Sequence, residues 1–110
     1  MINITINRDH RKDIVSFSVE GHAYADEVGK DIVCASISIL TQTIVLALHD
    51  VANIDVTYEM NDGFLYCEIP DNIDVTRREK ANIIFDTMLT GIKGTIEMYS
   101  DYIKLQDEEV

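Results

Sequence analysis

Gly21-His22-Ala23-Tyr24-Ala25-Asp26-Glu27-Val28-Gly29-Lys30-Asp31-Ile32-Val33-Cys34-Ala35-Ser36-Ile37-Ser38 is where the chain changes period. Upstream, Val15, Phe17 and Val19 alternate with Ser16, Ser18 and Glu20, the spacing of a half-buried strand. Downstream, Ile37, Ile39, Leu40, Ile44, Val45, Leu46 and Leu48 crowd a run with no charge between Asp31 and Asp50, which predicts a helix from about 32 to about 49. Residues 23–30 between them are polar and end on Gly29, a loop placed to cover a bound peptide and to order when one binds. The uncharged run is at the short end of the roughly 17–25 residues that a membrane span needs. It holds Ser36, Ser38, Thr41, Gln42 and Thr43, and its flanks are acidic rather than basic. It reads instead as a central helix, covered on more than one side.

Working outward on the N-terminal side, Ile2, Ile4 and Ile6 alternate with Asn3, Thr5 and Asn7. This first strand forms an antiparallel hairpin with the second across the charged link Arg8 to Asp13, in which His10 reads as solvated. On the other side, Ile54, Val56, Tyr58 and Met60 alternate in a third strand, Asn61-Asp62-Gly63 is turn chemistry, and a fourth strand runs from Phe64 to Ile69, ended by Pro70. Asp71 to Asp74 is a linker, and Thr76 with Glu79 fits a capping box at the start of a second helix. Ala81, Ile84, Phe85, Met88, Leu89, Ile92, Ile96 and Tyr99 recur on its apolar face. Tyr102 to Leu105 offers a short last strand, with Gln106 to Val110 a frayed acidic tail. The order ββαββα, with that optional strand, predicts one α+β domain over residues 1–110, a two-layer sandwich of sheet and helices.

A histidine at one rim of the 21–38 stretch and a cysteine at the other have the chemistry of a thiol nucleophile and its base. Thiolate, not thiol, attacks carbonyl carbon, so such a cysteine needs a base and a positive local field. With Asp31 as N-cap, Cys34 falls at N3, where unpaired N–H groups and the macrodipole supply that field and donors for an oxyanion. Asp31 has a second possible role as orienter of His22. Ser38, one turn past Cys34, either positions a group in the site or bonds back to the carbonyl of residue 34. A lone cysteine near a helix start is often only a small buried hydrophobe, so spacing alone leaves both readings open. Cys67 shares a strand face with Leu65 and Ile69 and reads as an inert core thiol.

Gly21-His22-Ala23, then five residues, Gly29, one residue, Asp31-Ile32-Val33-Cys34-Ala35, two residues and Ser38 resembles the signature of the ribosomal-processing cysteine protease family. The resemblance continues to Tyr102-Ile103-Lys104 and covers essentially the whole chain. It implies Cys34 as nucleophile and His22 as general base and acid, with Gly21, Gly29, Asp31 and Ser38 supporting them and no cofactor. It also implies a homodimer whose substrate is an N-terminally extended large-subunit ribosomal protein, cut after a hydrophobic, aromatic-containing segment.

Composition narrows the field further. Twenty acidic against nine basic residues give a net charge of −11, which disfavours nucleic acid and anionic membrane surfaces and favours a basic protein partner. The same charge fits a second reading, a non-catalytic ribosome-associated module that binds a basic ribosomal protein. Two cysteines and three histidines show no C-x-x-C or H-x-x-x-H spacing, so no metal site is predicted. Two cysteines and an N-terminus that is already strand-like point to a cytoplasmic protein with reduced thiols.

Overall fold

The alternating isoleucines of the first strand set the face on which everything else packs. In the computed structural model, which describes residues 1–22 and 27–109 (side chains of 27–31 and 109 excepted), Ile2, Ile4 and Ile6 are buried. They lie on β1 (Ile2–Arg8), which pairs antiparallel with β2 (Ile14–Gly21), Ile4 opposite Val19 and Ile6 opposite Phe17. The chain continues through α1 (Glu27–Asp50), β3 (Thr57–Asn61), β4 (Phe64–Glu68), α2 (Val75–Tyr99) and β5 (Ile103–Glu109). One mixed sheet results, in the order β3-β4-β2-β1-β5, antiparallel except for the β1–β5 pair. This is the expected α+β arrangement, with both helices against the apolar side of the sheet.

The core lies between those layers. Phe17 of β2 meets Phe85 of α2 edge-to-face, with ring centroids 6.3 Å apart, and Val33, Ile37 and Leu48 of α1 are buried with them. On the polar side of the sheet, Asn7 Nδ2 donates to Ser16 Oγ at 3.0 Å. Helix α1 ends because Asn53 adopts a left-handed φ of 56°, a conformation asparagine tolerates, and the N–H of Ile54 donates back to the Leu48 carbonyl at 3.0 Å. Residues 32–50 are long and apolar enough to cross a membrane by length and composition alone, and a third of that stretch is buried.

Several sequence expectations are corrected. Helix α1 begins at Glu27, so Asp31 is not its N-cap but its fifth residue, and Gly29 is helical rather than a hinge before it. Apolar periodicity marks where a helix is buried, not where its hydrogen bonding begins, and a single glycine costs a helix only about 1 kcal/mol. Of the expected loop over 23–30, residues 27–30 are therefore helix, and 23–26 lie outside the described residues. As expected for a helix that one short chain does not cover alone, α1 leaves Ile32, Ile39 and Leu46, seven residues apart, exposed. The acidic tail is no frayed end either. Residues 103–109 pair with β1, and Arg8 grips Asp107 through Nε–Oδ1 at 2.7 Å and Nη2–Oδ2 at 2.9 Å. That contact holds the Asp107 carboxyl below its ordinary pKa, because the guanidinium hydrogen-bonds the charged form.

The cap of α2 is also not the expected one. Asp74, extended at φ −74° and ψ 171°, accepts from the Arg77 N–H at 2.8 Å, while Thr76 lies inside the helix. Asp74→Ala is expected to lower unfolding free energy by about 1 kcal/mol, with Thr76→Ala within about 0.5 kcal/mol of wild type. Urea denaturation of the two variants checks the assignment, and a larger loss for Thr76→Ala would reverse it.

Candidate active site

The sheet presents His22 just beyond the end of β2. Gly21 closes that strand at φ +97°, and a Cβ there would stand 2.5 Å from the Met1 carbonyl oxygen, so no other residue fits without displacing β1. The Gly21 N–H donates to the Gly63 carbonyl at 2.8 Å, and the Met1 amino group donates to the His22 carbonyl at 2.6 Å. The backbone of Gly21-His22 is thus held from two neighbouring segments.

The helix presents Cys34. Val33 and Ile37 on either side of it are buried, which leaves Cys34 half-buried at the margin of the helix–sheet seam. Both Cys34 and His22 line one pocket of about 210 Å³. Its floor includes Ile2, Val19, Ile37 and Leu65, and its rim is polar, with Ser38, Gln42, Asn61 and Asp62. A thiol and an imidazole lining one pocket with an apolar floor are equipped for nucleophilic acyl transfer, with the imidazole accepting and returning a proton.

Of the residues singled out in the sequence, His22, Cys34, Gly21 and Ser38 meet at this pocket. Asp31 and Gly29 lie in the first two turns of α1, and the Asp31 side chain is outside the described part. Because α1 starts at Glu27, Cys34 is its eighth residue rather than N3. The N–H groups that a helix leaves unpaired lie in its first turn, and Cys34 is past that turn. The Cys34 N–H belongs to the helical ladder, so the oxyanion donors expected from the helix start do not sit beside it in this conformation.

Gly63 reads in the sequence only as a turn glycine. It lies in the turn between β3 and β4 at φ +74°, against the edge of the His22 ring. The signal that could have found it is the pairing of β2 with β4, which brings Glu20 opposite Phe64 and so carries the turn to the end of β2.

Cys67 is separated from this chemistry. It is fully buried opposite Phe17 in the β2–β4 ladder, and burial, with the neighbouring Glu68 charge, pushes its thiol up to about 12. Neither cysteine is in a disulfide.

Fold and pocket together belong to the class of cysteine proteases, and known proteins agree. A family model for cysteine protease Prp matches residues 1–104. The chain belongs to the cysteine protease Prp family. It is 31% identical over 107 residues to a ribosomal processing cysteine protease Prp of Bacillus subtilis, covering 96% of each chain. Two crystal structures of an essential ribosomal processing protease Prp from S. aureus superpose on it with a TM-score of 0.85, covering 98% of this chain and 100% of theirs. One, 26% identical, carries a covalently linked product peptide, and the other, 25% identical, a substrate peptide.

The contrast between the two thiols is directly measurable. Iodoacetamide at neutral pH is expected to modify Cys34 at least about tenfold faster than Cys67, since only thiolate reacts and burial keeps Cys67 protonated. Peptide mapping by mass spectrometry reads the ratio, and equal labelling of the native protein would contradict the burial of Cys67.

Proposed function

We propose that the protein is an endopeptidase that removes the N-terminal extension of a bacterial large-subunit ribosomal protein, with Cys34 as nucleophile and His22 as general base and acid. The observation that carries this reading is the placement of both side chains on one pocket of a cysteine protease fold, with the other thiol buried. His22 takes the Cys34 proton, and Sγ attacks the scissile carbonyl carbon to form a tetrahedral oxyanion. Collapse breaks the C–N bond, His22 gives its proton to the leaving amine, and a thioester remains. Water, deprotonated by His22, hydrolyses the thioester and restores the thiol.

The substrate assignment is supported by the relatives, which are ribosomal processing cysteine proteases, and by charge. A net charge of −11 attracts a basic ribosomal protein. The apolar pocket floor suits a hydrophobic segment next to the cut. Incubation with the N-terminally extended ribosomal protein, followed by mass spectrometry, should give a single cleavage and two fragments. Cys34→Ala is expected to abolish it with the fold intact, and His22→Ala to slow it by about 100-fold or more. Processing by Cys34→Ala at a measurable rate would overturn Cys34 as the nucleophile, and absence of cleavage by the wild-type protein would leave the binding-module reading.

The exposed Ile32, Ile39 and Leu46 face of α1 supports a homodimer, in which a second copy covers it. Ser36 and Thr43 on the same side of the helix turn their hydroxyls back to the carbonyls of Ile32 and Ile39, so they add little polarity to that face. Sedimentation at micromolar concentration should give twice the monomer mass, and Ile39→Glu should return a monomer. A wild-type monomer would remove the second copy from this face.

A further inference from the structure

We infer that Gly63 is a positioning residue for His22: its bare Cα is the surface that sets the orientation of the imidazole, and its carbonyl holds the strand end from which the ring projects. The inference rests on the proposed role of His22 as base and goes beyond it by naming what fixes the ring. A Cβ built on Gly63 would stand 2.6 Å from His22 Nε2, 3.2 Å from Cδ2 and 3.3 Å from Cε1. All three nearest atoms belong to the ring, and the closest is a nitrogen that can exchange protons. The Gly63 carbonyl meanwhile accepts from the Gly21 N–H at 2.8 Å, one residue before the histidine. A single residue thus fixes both the backbone beside His22 and the far edge of its ring.

The two sides of this contact differ in stiffness. The turn is bounded by the Asn61–Phe64 pair of the β3–β4 ladder and tied to β2 through Gly21. The imidazole moves on two side-chain torsions. Carbon contacts settle near 3.5–4.0 Å, so an added methyl must displace the ring by roughly 1 Å. A displacement of that size in a reacting group costs up to about 100-fold in rate. Substrate binding, which draws on the pocket floor, is not the quantity that changes.

The test compares wild type, Gly63→Ala and His22→Ala in two assays. One is processing of the extended ribosomal protein, and the other is the pH dependence of Cys34 alkylation by iodoacetamide. Gly63→Ala is expected to lower kcat by about 10–100-fold with KM within about threefold. Its alkylation profile should depart from that of the wild type and approach the His22→Ala profile. Any L residue at φ +74° also carries backbone strain, so a chain made by chemical synthesis with D-alanine at position 63 is the control. D-alanine keeps that φ and directs its methyl away from the ring, and it should restore wild-type kcat and profile.

A Gly63→Ala protein with wild-type kcat and profile, beside an inactive His22→Ala, overturns the positioning role and leaves the base standing. Wild-type processing by His22→Ala overturns the reading of the base itself, and the inference with it. If Gly63→Ala does not fold, the same substitution is made in the His22→Ala background. Recovery of folding there supports the ring contact, and continued unfolding assigns the penalty to the turn backbone and overturns it.

Discussion

The burial of Ile2, Ile4 and Ile6 under the helices is the constraint on which the rest of the fold depends. β1 pairs with β2 on one side and β5 on the other, so its choice of face is imposed on three strands. Burying each isoleucine contributes about 1.5–3 kcal/mol. A slip by one residue would turn all three into water and Asn3, Thr5 and Asn7 into the core. No local preference elsewhere competes with that. The register it selects puts Ile2 opposite Gly21, and His22 therefore emerges at the open end of the sheet, above the apolar floor.

The two proposed reacting side chains come from different layers, and the packing between layers is what relates them. His22 belongs to the sheet, through Gly21, Met1 and Gly63. Cys34 belongs to the helix, where buried Val33 and Ile37 seat it against that sheet. Exchanging a core residue under α1 would therefore alter the distance between thiol and imidazole without touching either. An apolar seam of this kind is close-packed and yields little, which suits a pair that must meet within hydrogen-bond reach.

Residues that report burial were legible in the sequence, and residues that report local hydrogen bonding were not. The period of two in β1 and β2, the turn at Asn61-Asp62-Gly63 and the inert placement of Cys67 all follow from which side chains leave water. The start of α1 was misplaced because Glu27 to Asp31 carry no apolar rhythm, although they continue the helix. The cap of α2 was assigned to Thr76 on the strength of Glu79 three residues later, while Asp74 reaches the Arg77 N–H first. The second half of β5, past Leu105, is hidden by its acidic residues. Their charge reads as a solvated tail until Arg8, about a hundred positions earlier, is seen to face Asp107. Gly63 needed the β2–β4 register, a long-range pairing that no local window contains. The site motif was legible as residue types at fixed spacing, and the shape of the pocket was not.

The earlier start of α1 changes what must activate the thiol. At N3, Cys34 would have stood in the field of the helix terminus, which acts over the first turn and fades beyond it. As the eighth residue it lies past that turn, and its own N–H is spent in the helical ladder. In this conformation the macrodipole is thus a minor influence on the thiol. In the proposed mechanism the imidazole stabilises the thiolate, by taking its proton and staying close as a cation. Ion-pair activation of that kind depends on orientation, because one ring nitrogen must face sulfur while the other is held elsewhere. The left-handed glycine against the ring edge and the two hydrogen bonds to the backbone of Gly21-His22 restrain that orientation. The weight that the motif's spacing places on the helix start therefore falls on the sheet and its β3–β4 turn.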